Sequence, residues 1–356
     1  MPASSGAQAE VADSTAGGAS PDDRVVFVVG SPRSGSTMLA RMIGSHSQIY
    51  GRPEPHLLTP LAHLGYYANV EKAPYDHILA AESVQQFVDD LPGGEDDYVD
   101  ACRAYSDTLY RRMLATKPGK DLFLDKTPAN SLIFDFMAKV YPTAKYIVLT
   151  RHPLAIFSSF AESFFDSDYQ AAHDYNPILS RYVPALAKAL RTREVPIYHV
   201  VYEELVAEPE RILAEIFEFL GVPPEGDAVE YGKHAQVEKG LGDPIGVAKH
   251  SRPSTDSIHK WAAEIAGTPS RLALCQSMIA ELDPADLEIW GHPLESLWDP
   301  LSKADPNQRA PKKPLFDRYR LERKAIVTLR RRVAASPFLQ KILRTLRLGA
   351  DVLLRS

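Results

Sequence analysis

A short loop between a strand-like run and a helix-like run carries the residues best suited to chemistry. Residues 25–37 read V-V-F-V-V-G-S-P-R-S-G-S-T, and a helix-like run continues from Met38 to Ile43. A strand, a glycine-bounded loop and a helix point backbone N–H groups at one spot, where the helix N-terminus adds partial positive charge. Gly30 and Gly35 allow the backbone to approach an anion closely. The sequence therefore predicts a loop that binds a phosphorylated ligand.

The loop departs from the pattern of nucleoside triphosphatases at one position. That pattern, G-x-x-x-x-G-K-[ST], requires a lysine where this chain has Ser36, and the cation here lies inside the loop at Arg33. Without the lysine, hydrolysis of ATP or GTP loses a main charge-stabilising group. The loop resembles the 5′-phosphosulfate loop of sulfotransferases, which use 3′-phosphoadenosine 5′-phosphosulfate (PAPS). This resemblance implies that the cofactor is held by Arg33, Ser34, Gly35, Ser36 and Thr37.

A second segment, residues 145–159, is similar to the same family. It reads K-Y-I-V-L-T-R-H-P-L-A-I-F-S-S, with Arg151 and Ser159 eight positions apart. In sulfotransferases, an arginine and a serine at this spacing hold the 3′-phosphate of PAPS, for which guanidinium offers a planar fork of donors. The family usually has aspartate after the arginine, whereas this chain has His152. A lone arginine at a strand end is more often simply solvated, but its combination with the loop favours the phosphate role.

Three later stretches resemble further family segments. V-Y-E-E-L at 201–205 resembles a segment whose tyrosine, here Tyr202, lies near the adenine. K-G-L-G-D-P at 239–244 resembles a loop that closes over the 3′-phosphate, which implies binding roles for Lys239 and Gly240. S-T-D-S-I-H-K-W at 254–261 resembles the segment before a tryptophan in tyrosylprotein sulfotransferases. Their order along the chain strengthens the resemblance to sulfotransferases. The resemblance implies that the product formed from PAPS is 3′-phosphoadenosine 5′-phosphate (PAP).

Sulfuryl transfer requires a base and a cation, for which three residues qualify. Glu54 follows Arg33 by 21 positions, the offset of the catalytic glutamate in tyrosylprotein sulfotransferases. His56 is the alternative base, because cytosolic small-molecule sulfotransferases use histidine. Lys126, in L-D-K-T-P-A-N, resembles a lysine of carbohydrate and protein sulfotransferases. The prolines on either side of Glu54 predict an extended backbone there.

A P-loop kinase or nucleotide-binding module is the alternative function. L-F-L-D resembles a strand that ends in a Mg²⁺-binding aspartate, here Asp125. The neighbouring Lys126 and the missing loop lysine argue against it. The histidines form no H-x-x-x-H pair and no pair with cysteine, so we expect no metal.

Composition suggests a cytoplasmic protein. The chain has no run of about 18 apolar residues, and residues 1–23 are rich in Ala, Ser and Gly without a signal-peptide pattern. That segment is predicted to be disordered. Cys102 and Cys275 form no metal or redox motif and are interpreted as reduced thiols.

Charge is divided unequally along the chain. From Arg309 onward there are 14 Lys and Arg against 3 Asp and Glu, whereas the preceding part carries a net charge of −17. The acidic body disfavours nucleic acid as a partner. The tail contains an amphipathic helix predicted to start at Ser336 and Pro337, which would dock on the body, on an acidic partner or on an anionic membrane surface. P-E-P-H-L-L at 53–58 resembles assembly-line sulfotransferases of natural-product biosynthesis, which suggests a hydroxyl acceptor on an acidic carrier protein.

Short apolar strands alternate with helical patterns, which predicts an α/β fold: one P-loop domain with a central, mostly parallel sheet and helices on both faces. We expect this domain over residues 24–305 and a basic helical extension over 306–356. The predicted strands are Val25–Val29, Leu122–Leu124, Tyr146–Leu149 and Ile197–Val201. The predicted helices are Thr37–Gly44, Tyr98–Ala115, Ser131–Val140, Leu154–Phe160, Pro177–Leu190 and Pro209–Leu220.

Overall fold

A parallel sheet of five strands organises the molecule. The computed structural model describes residues 24–55, 58–62, 84–234, 251–255, 258–304, 336–339 and 342. The strands are β1 (Val25–Gly30), β2 (Ile49–Pro53), β3 (Leu122–Lys126), β4 (Lys145–Thr150) and β5 (Ile197–Val201). Their order is β2-β3-β1-β4-β5, and every neighbouring pair is parallel. The predicted α/β class with a parallel sheet is confirmed.

Helices connect the strands and follow the last one. From α1 to α8 they are Ser36–Gly44, Leu58–Ala62, residues 84–89, Glu95–Leu114, Phe134–Val140, Pro153–Phe165, Tyr169–Tyr175 and Ile178–Thr192. From α9 to α15 they are Tyr202–Ala207, Pro209–Leu220, Tyr231–His234, Lys260–Ala266, Pro269–Ala280, Pro284–Ile289 and Asp299–Ser302. The described residues also form 3₁₀ helices at Pro128–Ile133 and Gly226–Val229.

The side chains of β1 alternate between two hydrophobic cores, one on each face of the sheet. Val26 and Val28 pack with residues of α1 and α10, whereas Phe27 packs with residues of α5, α6 and α8 on the opposite face. All three side chains are at most 1% exposed. Burial of an aliphatic or aromatic side chain contributes about 1.5–3 kcal/mol, so covering both faces stabilises the sheet substantially. The prediction of helices on both faces is confirmed.

The register brings the carboxyl ends of the strands to one edge of the sheet. Pro53 lies opposite Lys126, Gly30 opposite Leu149, and Thr150 opposite Val201. Residues at or just after these positions therefore meet at the edge where open α/β sheets bind ligands. After β1 the chain continues to β2 and β3 on one side of β1, and it then crosses to β4 and β5 on the other side. The end of β1 is therefore the point at which the strand order reverses.

The structure differs from the predicted elements at two places. The strand β2 was not predicted, because I-Y-G-R-P contains a glycine and a proline that weaken the strand pattern. The helix predicted over 131–140 is in fact a 3₁₀ helix followed by α5, which begins only at Phe134.

In the tail, the described residues show a capped but exposed helical turn. The backbone N–H of Leu339 donates to Ser336 Oγ at 3.3 Å, the bond expected of an N-cap. Phe338 is 71% exposed and Ile342 is 38% exposed. Most of the predicted apolar face lies outside the described residues, so docking of the tail on the body, on an acidic partner or on a membrane surface stays a prediction. Among the helices of the described residues, none is both long enough and apolar enough to cross a membrane.

Candidate functional site

The loop after β1 has a backbone that requires glycine at both ends. A Cβ atom on Gly30 would lie 2.8 Å from Ser34 Oγ and 2.9 Å from the carbonyl oxygen of Leu149. Gly35 has φ of 101°, and a Cβ there would lie 2.6 Å from the ring of Tyr202. Arg33 also adopts a positive φ, 71°, which is uncommon for a residue with a side chain. This tightly wound backbone leads directly into α1.

Ser131 fixes the end of β1 from the neighbouring 3₁₀ helix. Its Oγ accepts a hydrogen bond from the backbone N–H of Gly30 at 3.0 Å and donates to the Gly30 carbonyl at 3.1 Å. Both residues are buried. One hydroxyl therefore satisfies both backbone groups of the residue at which the loop begins. This role of Ser131 was not predicted from the sequence, since 101 residues separate it from Gly30.

The structure brings Arg33 together with the Arg151 and Ser159 pair. Arg33 Nε donates to Ser159 Oγ at 3.1 Å, and Arg151 Nη1 donates to the backbone carbonyl of Arg33 at 3.3 Å. Ser159 lies on α6, which follows the strand β4 that presents Arg151. The two predicted phosphate-binding segments thus form one constellation with two guanidinium groups.

Tyr202 supports this constellation from the end of β5. Its ring centroid lies 4.1 Å from the guanidinium carbon of Arg151, and its ring packs against Gly35. Both Tyr202 and Arg151 are less than 9% exposed. Burial lowers the pKa of Arg151 from its usual value, and nearby Tyr202 and Glu203 oppose this effect. The ring therefore supplies a cation–π contact to a guanidinium that has lost most of its hydration.

Lys126 joins the loop to the first predicted base. Its Nζ donates to Glu54 Oε1 at 2.6 Å and lies 3.4 Å from Thr37 Oγ1 in the first turn of α1. The lysine side chain is 3% exposed and that of Glu54 19%. Since β2 and β3 are adjacent, their carboxyl ends place both charged groups beside the loop.

The backbone at Glu54 differs from the predicted geometry. The prediction of an extended backbone is wrong, because Glu54 has φ of 38°, in the left-handed region. The strand β2 ends one residue earlier, at Pro53. This turn directs the chain into α2, which is joined to the 3₁₀ helix by a hydrogen bond of 3.0 Å from Thr59 Oγ1 to Asn130 Oδ1.

Asp125, the predicted Mg²⁺ ligand of the kinase alternative, faces the core. Its carboxylate accepts hydrogen bonds from Tyr110 OH at 2.6 Å and from Thr127 Oγ1 at 2.8 Å, and it has no exposed surface. Strand alternation places it on the face opposite Lys126. It therefore acts as a buried acceptor that anchors α4 to β3. No observation here favours the kinase alternative.

Part of the predicted site cannot be placed. His56, Lys239 and Gly240 lie outside the described residues, and their roles stay predictions. Within the described ranges, no group of three or more His, Cys, Asp or Glu side chains could hold a metal ion.

The described residues fit a phosphate-bearing ligand. Ser34 Oγ is buried in the loop and has no hydrogen-bond partner among the described residues. Such a hydroxyl is costly to leave unsatisfied, and an anion in the loop would accept from it. The guanidinium groups of Arg33 and Arg151 add charge, and Lys126 with Glu54 adds a cation and a carboxylate beside them. This arrangement can bind an anion and move a proton next to it.

Comparisons with known proteins show relatives of this chain. The chain is 28% identical over 270 residues to the nodulation protein NoeE of Sinorhizobium fredii, covering 69% of this chain and 62% of NoeE. It is 19% identical over 252 residues to protein-tyrosine sulfotransferase A of Caenorhabditis elegans, covering 67% of this chain and 61% of that protein. This chain thus spans less than two thirds of either relative.

A comparison was also made with solved structures and with models of protein families. The sulfotransferase domain of the Synechococcus olefin synthase is 24% identical, with a TM-score of 0.45, over 73% of this chain and 95% of that domain. The model of the sulfotransferase family matches residues 25–226, which contain β1 to β5 and every described residue of the site. With more than half of its length matched, the chain belongs to the sulfotransferase family.

Proposed function

We propose that this protein transfers the sulfuryl group of PAPS to a hydroxyl acceptor. The observation that carries the proposal is the continuous line from the loop through Thr37 and Lys126 to Glu54, beside the Arg33, Ser159 and Arg151 constellation. The first part suits transfer chemistry and the second suits a 3′-phosphate. Family membership supports the reaction class.

The loop and the arginines would hold the cofactor. Backbone N–H groups at the start of α1 and the Ser34 hydroxyl would donate to the 5′-phosphosulfate. Arg151, Arg33 and Ser159 would donate to the 3′-phosphate, which distinguishes PAP from ADP. The Tyr202 ring, with its centroid 4.1 Å from the guanidinium carbon of Arg151, would help to hold that guanidinium in place. Lys239 and Gly240 are proposed to complete this subsite.

Glu54 and Lys126 would carry the transfer itself. PAPS supplies the sulfuryl group: a bond forms between the acceptor oxygen and sulfur while the bond from sulfur to the phosphate oxygen breaks. Glu54 accepts the proton of the acceptor hydroxyl, and Lys126 stabilises the negative charge on the oxygen that leaves. A carboxylate has about four lone-pair sites, so the bond to Lys126 is compatible with a second bond to the acceptor. His56 remains the alternative base.

Calorimetry with PAP and ADP tests the cofactor. We expect PAP to bind at least tenfold more tightly, because only PAP has the 3′-phosphate that Arg151 would bind with charge-assisted hydrogen bonds. Equal affinities would contradict the proposal, since they would mean that the arginine constellation does not bind that group.

A transfer assay with labelled PAPS then identifies the acceptor. Phenols, sterols, sugars, lipids and hydroxyacyl chains on a carrier protein belong in the screen. The carrier-bound chains are included because P-E-P-H-L-L resembles assembly-line sulfotransferases. Transfer to any hydroxyl supports the reaction, and the preferred acceptor defines its class.

A further inference from the structure

The turn after β4 is held by two parts of the chain that are distant in sequence. Trp290 Nε1 donates to the backbone carbonyl of Arg151 at 2.8 Å, in a fully buried bond across 139 residues. The backbone N–H of His152 donates to Glu203 Oε1 at 3.1 Å. The carbonyl of Arg151 and the N–H of His152 belong to one peptide group, so its plane is fixed from both sides.

The ring of His152 adds a third support. Its Nε2 lies 2.9 Å from the carbonyl oxygen of Leu297, and this nitrogen must carry the proton because a carbonyl only accepts. The ring stacks on Trp261, with centroids 4.3 Å apart. Burial lowers the pKa of His152 to about 3, which keeps the imidazole neutral. Since an imidazole is either neutral or positively charged, His152 cannot replace the negative charge of the aspartate usual at this position.

Glu203 supplies a carboxylate in this neighbourhood instead. Its Oε2 lies 3.3 Å from His292 Nε2, and both side chains are largely buried. Glu203 also opposes the lowering of the Arg151 pKa by burial, whereas Arg33 adds to that lowering. The carboxylate thus offsets part of the cost of burying one guanidinium beside another.

We propose that Glu203, acting together with Trp290, is a positioning residue for Arg151. It fixes the peptide group from which the Arg151 side chain projects and balances the charge of that side chain, without itself touching the ligand. The inference rests on the proposed function, because it assigns to Arg151 a ligand with a 3′-phosphate. If Glu203 positions Arg151, removing the Glu203 carboxylate lowers the ratio of PAP affinity to ADP affinity.

Calorimetry on four proteins tests this role. Wild type, Glu203→Ala, Glu203→Gln and the control Glu204→Ala are each titrated with PAP and with ADP. Glu204 is the exposed neighbour in α9, so its removal alters the charge of the helix but not the turn. We expect Glu203→Ala to weaken PAP binding about tenfold, a loss common on removal of an orienting partner, with ADP affinity within about twofold. Glu204→Ala should match wild type for both ligands.

The glutamine variant separates positioning from folding. Glu203→Gln keeps an oxygen that accepts from the His152 N–H but loses the charge, so its PAP affinity should lie between those of wild type and Glu203→Ala. Thermal melts without ligand verify that each variant is folded, and Glu203→Gln carries the test if Glu203→Ala does not fold. Should both Glu203 variants keep the wild-type ratio of PAP to ADP affinity, or lose both affinities equally, the inference is wrong. Equal affinities in wild type would instead refute the proposed function, and this inference with it.

Discussion

The ion pair between Glu54 and Lys126 puts a base and a cation within 2.6 Å of each other, beside the loop. Replacing Glu54 with glutamine keeps the shape and one acceptor oxygen but removes basicity. We expect Glu54→Gln to lower kcat by about 10²–10⁴, the usual effect of losing a general base. PAP affinity should change only a few-fold, because the loop and the arginines hold the cofactor. Single-turnover transfer and calorimetry measure the two quantities.

His56→Ala is the matched comparison for Glu54→Gln. If Glu54 is the base, the histidine variant should retain most of its turnover. The reverse result, an inactive His56→Ala and a nearly active Glu54→Gln, would assign the base to His56 and place the mechanism closer to that of cytosolic small-molecule sulfotransferases.

At Arg151 the expected effect is on binding. Arg151→Ala removes charge-assisted hydrogen bonds to the 3′-phosphate, which are worth about 1.5–3 kcal/mol, or roughly 10- to 150-fold in affinity for PAP. ADP binding should hardly change. The melting temperature without ligand should stay near that of wild type, since a buried guanidinium is costly in itself. A large loss of stability in the apo protein would show that Arg151 is structural.

Between elements, Ser131 ties the 3₁₀ helix to the end of β1. Ser131→Ala leaves the N–H and the carbonyl of Gly30 without their hydroxyl partner, and each unsatisfied buried group costs about 1–3 kcal/mol. We expect a lower free energy of unfolding in urea and weaker PAP binding. Ser180→Ala, which removes an exposed hydroxyl from α8, is the control and should change neither. If Ser131→Ala keeps the wild-type free energy of unfolding and the wild-type PAP affinity, the loop does not depend on the Ser131 hydrogen bonds.

Two histidines, the buried His152 just after β4 and the half-buried His199 in the middle of β5, predict a pH dependence of stability. Burial lowers the pKa of His152 to about 3 and that of His199 to about 4 in the folded protein. Between these values and about pH 6.5, the unfolded chain binds protons that the folded chain does not. The free energy of unfolding should therefore fall as the pH drops from about 6.5 to 4, by at most about 1.4 kcal/mol per pH unit for each histidine.

Urea denaturation at pH 7.5, 6 and 5 measures this slope. His199→Gln, which keeps a polar partner near Thr150 Oγ1, should make the slope shallower by the contribution of one histidine. Stability that is constant between pH 7.5 and 5 would contradict both lowered pKa values.

Local patterns in the sequence were sufficient to predict four strands and the loop, because apolar runs and glycines act over a few residues. The edge strand β2 was not predicted, because Gly51 and Pro53 interrupt the run of apolar residues typical of a strand. The supports of the site were also missed: Ser131, Glu203 and Trp290 act across 101, 51 and 139 residues. Two of the three stood in or beside a quoted segment: Ser131 directly follows L-D-K-T-P-A-N, and Glu203 lies within V-Y-E-E-L, where only the tyrosine was given a role. Such contacts depend on tertiary packing, which residue spacing does not encode.

For the whole molecule, the predicted boundary near residue 305 can be tested by truncation. The described body ends at Ala304, and the family match ends earlier, at residue 226. We expect removal of residues 306–356 to leave the melting temperature within a few degrees and PAP affinity unchanged. It should also make the net charge much more negative, because the segment from Arg309 onward carries +11. Loss of folding on truncation would show that the tail belongs to the domain.

The strand order also divides the site residues between the two sides of β1. On one side of β1 lie β2 and β3, which present Glu54 and Lys126; on the other lie β4 and β5, which present Arg151 and Tyr202. Among the described strands, the edge strand β2 pairs with β3 alone, so a change in β2 would leave the registers of β1, β4 and β5 intact. A substitution in β2 can therefore displace Glu54, the proposed base, while the residues proposed to bind the cofactor on β4 and β5 keep their positions.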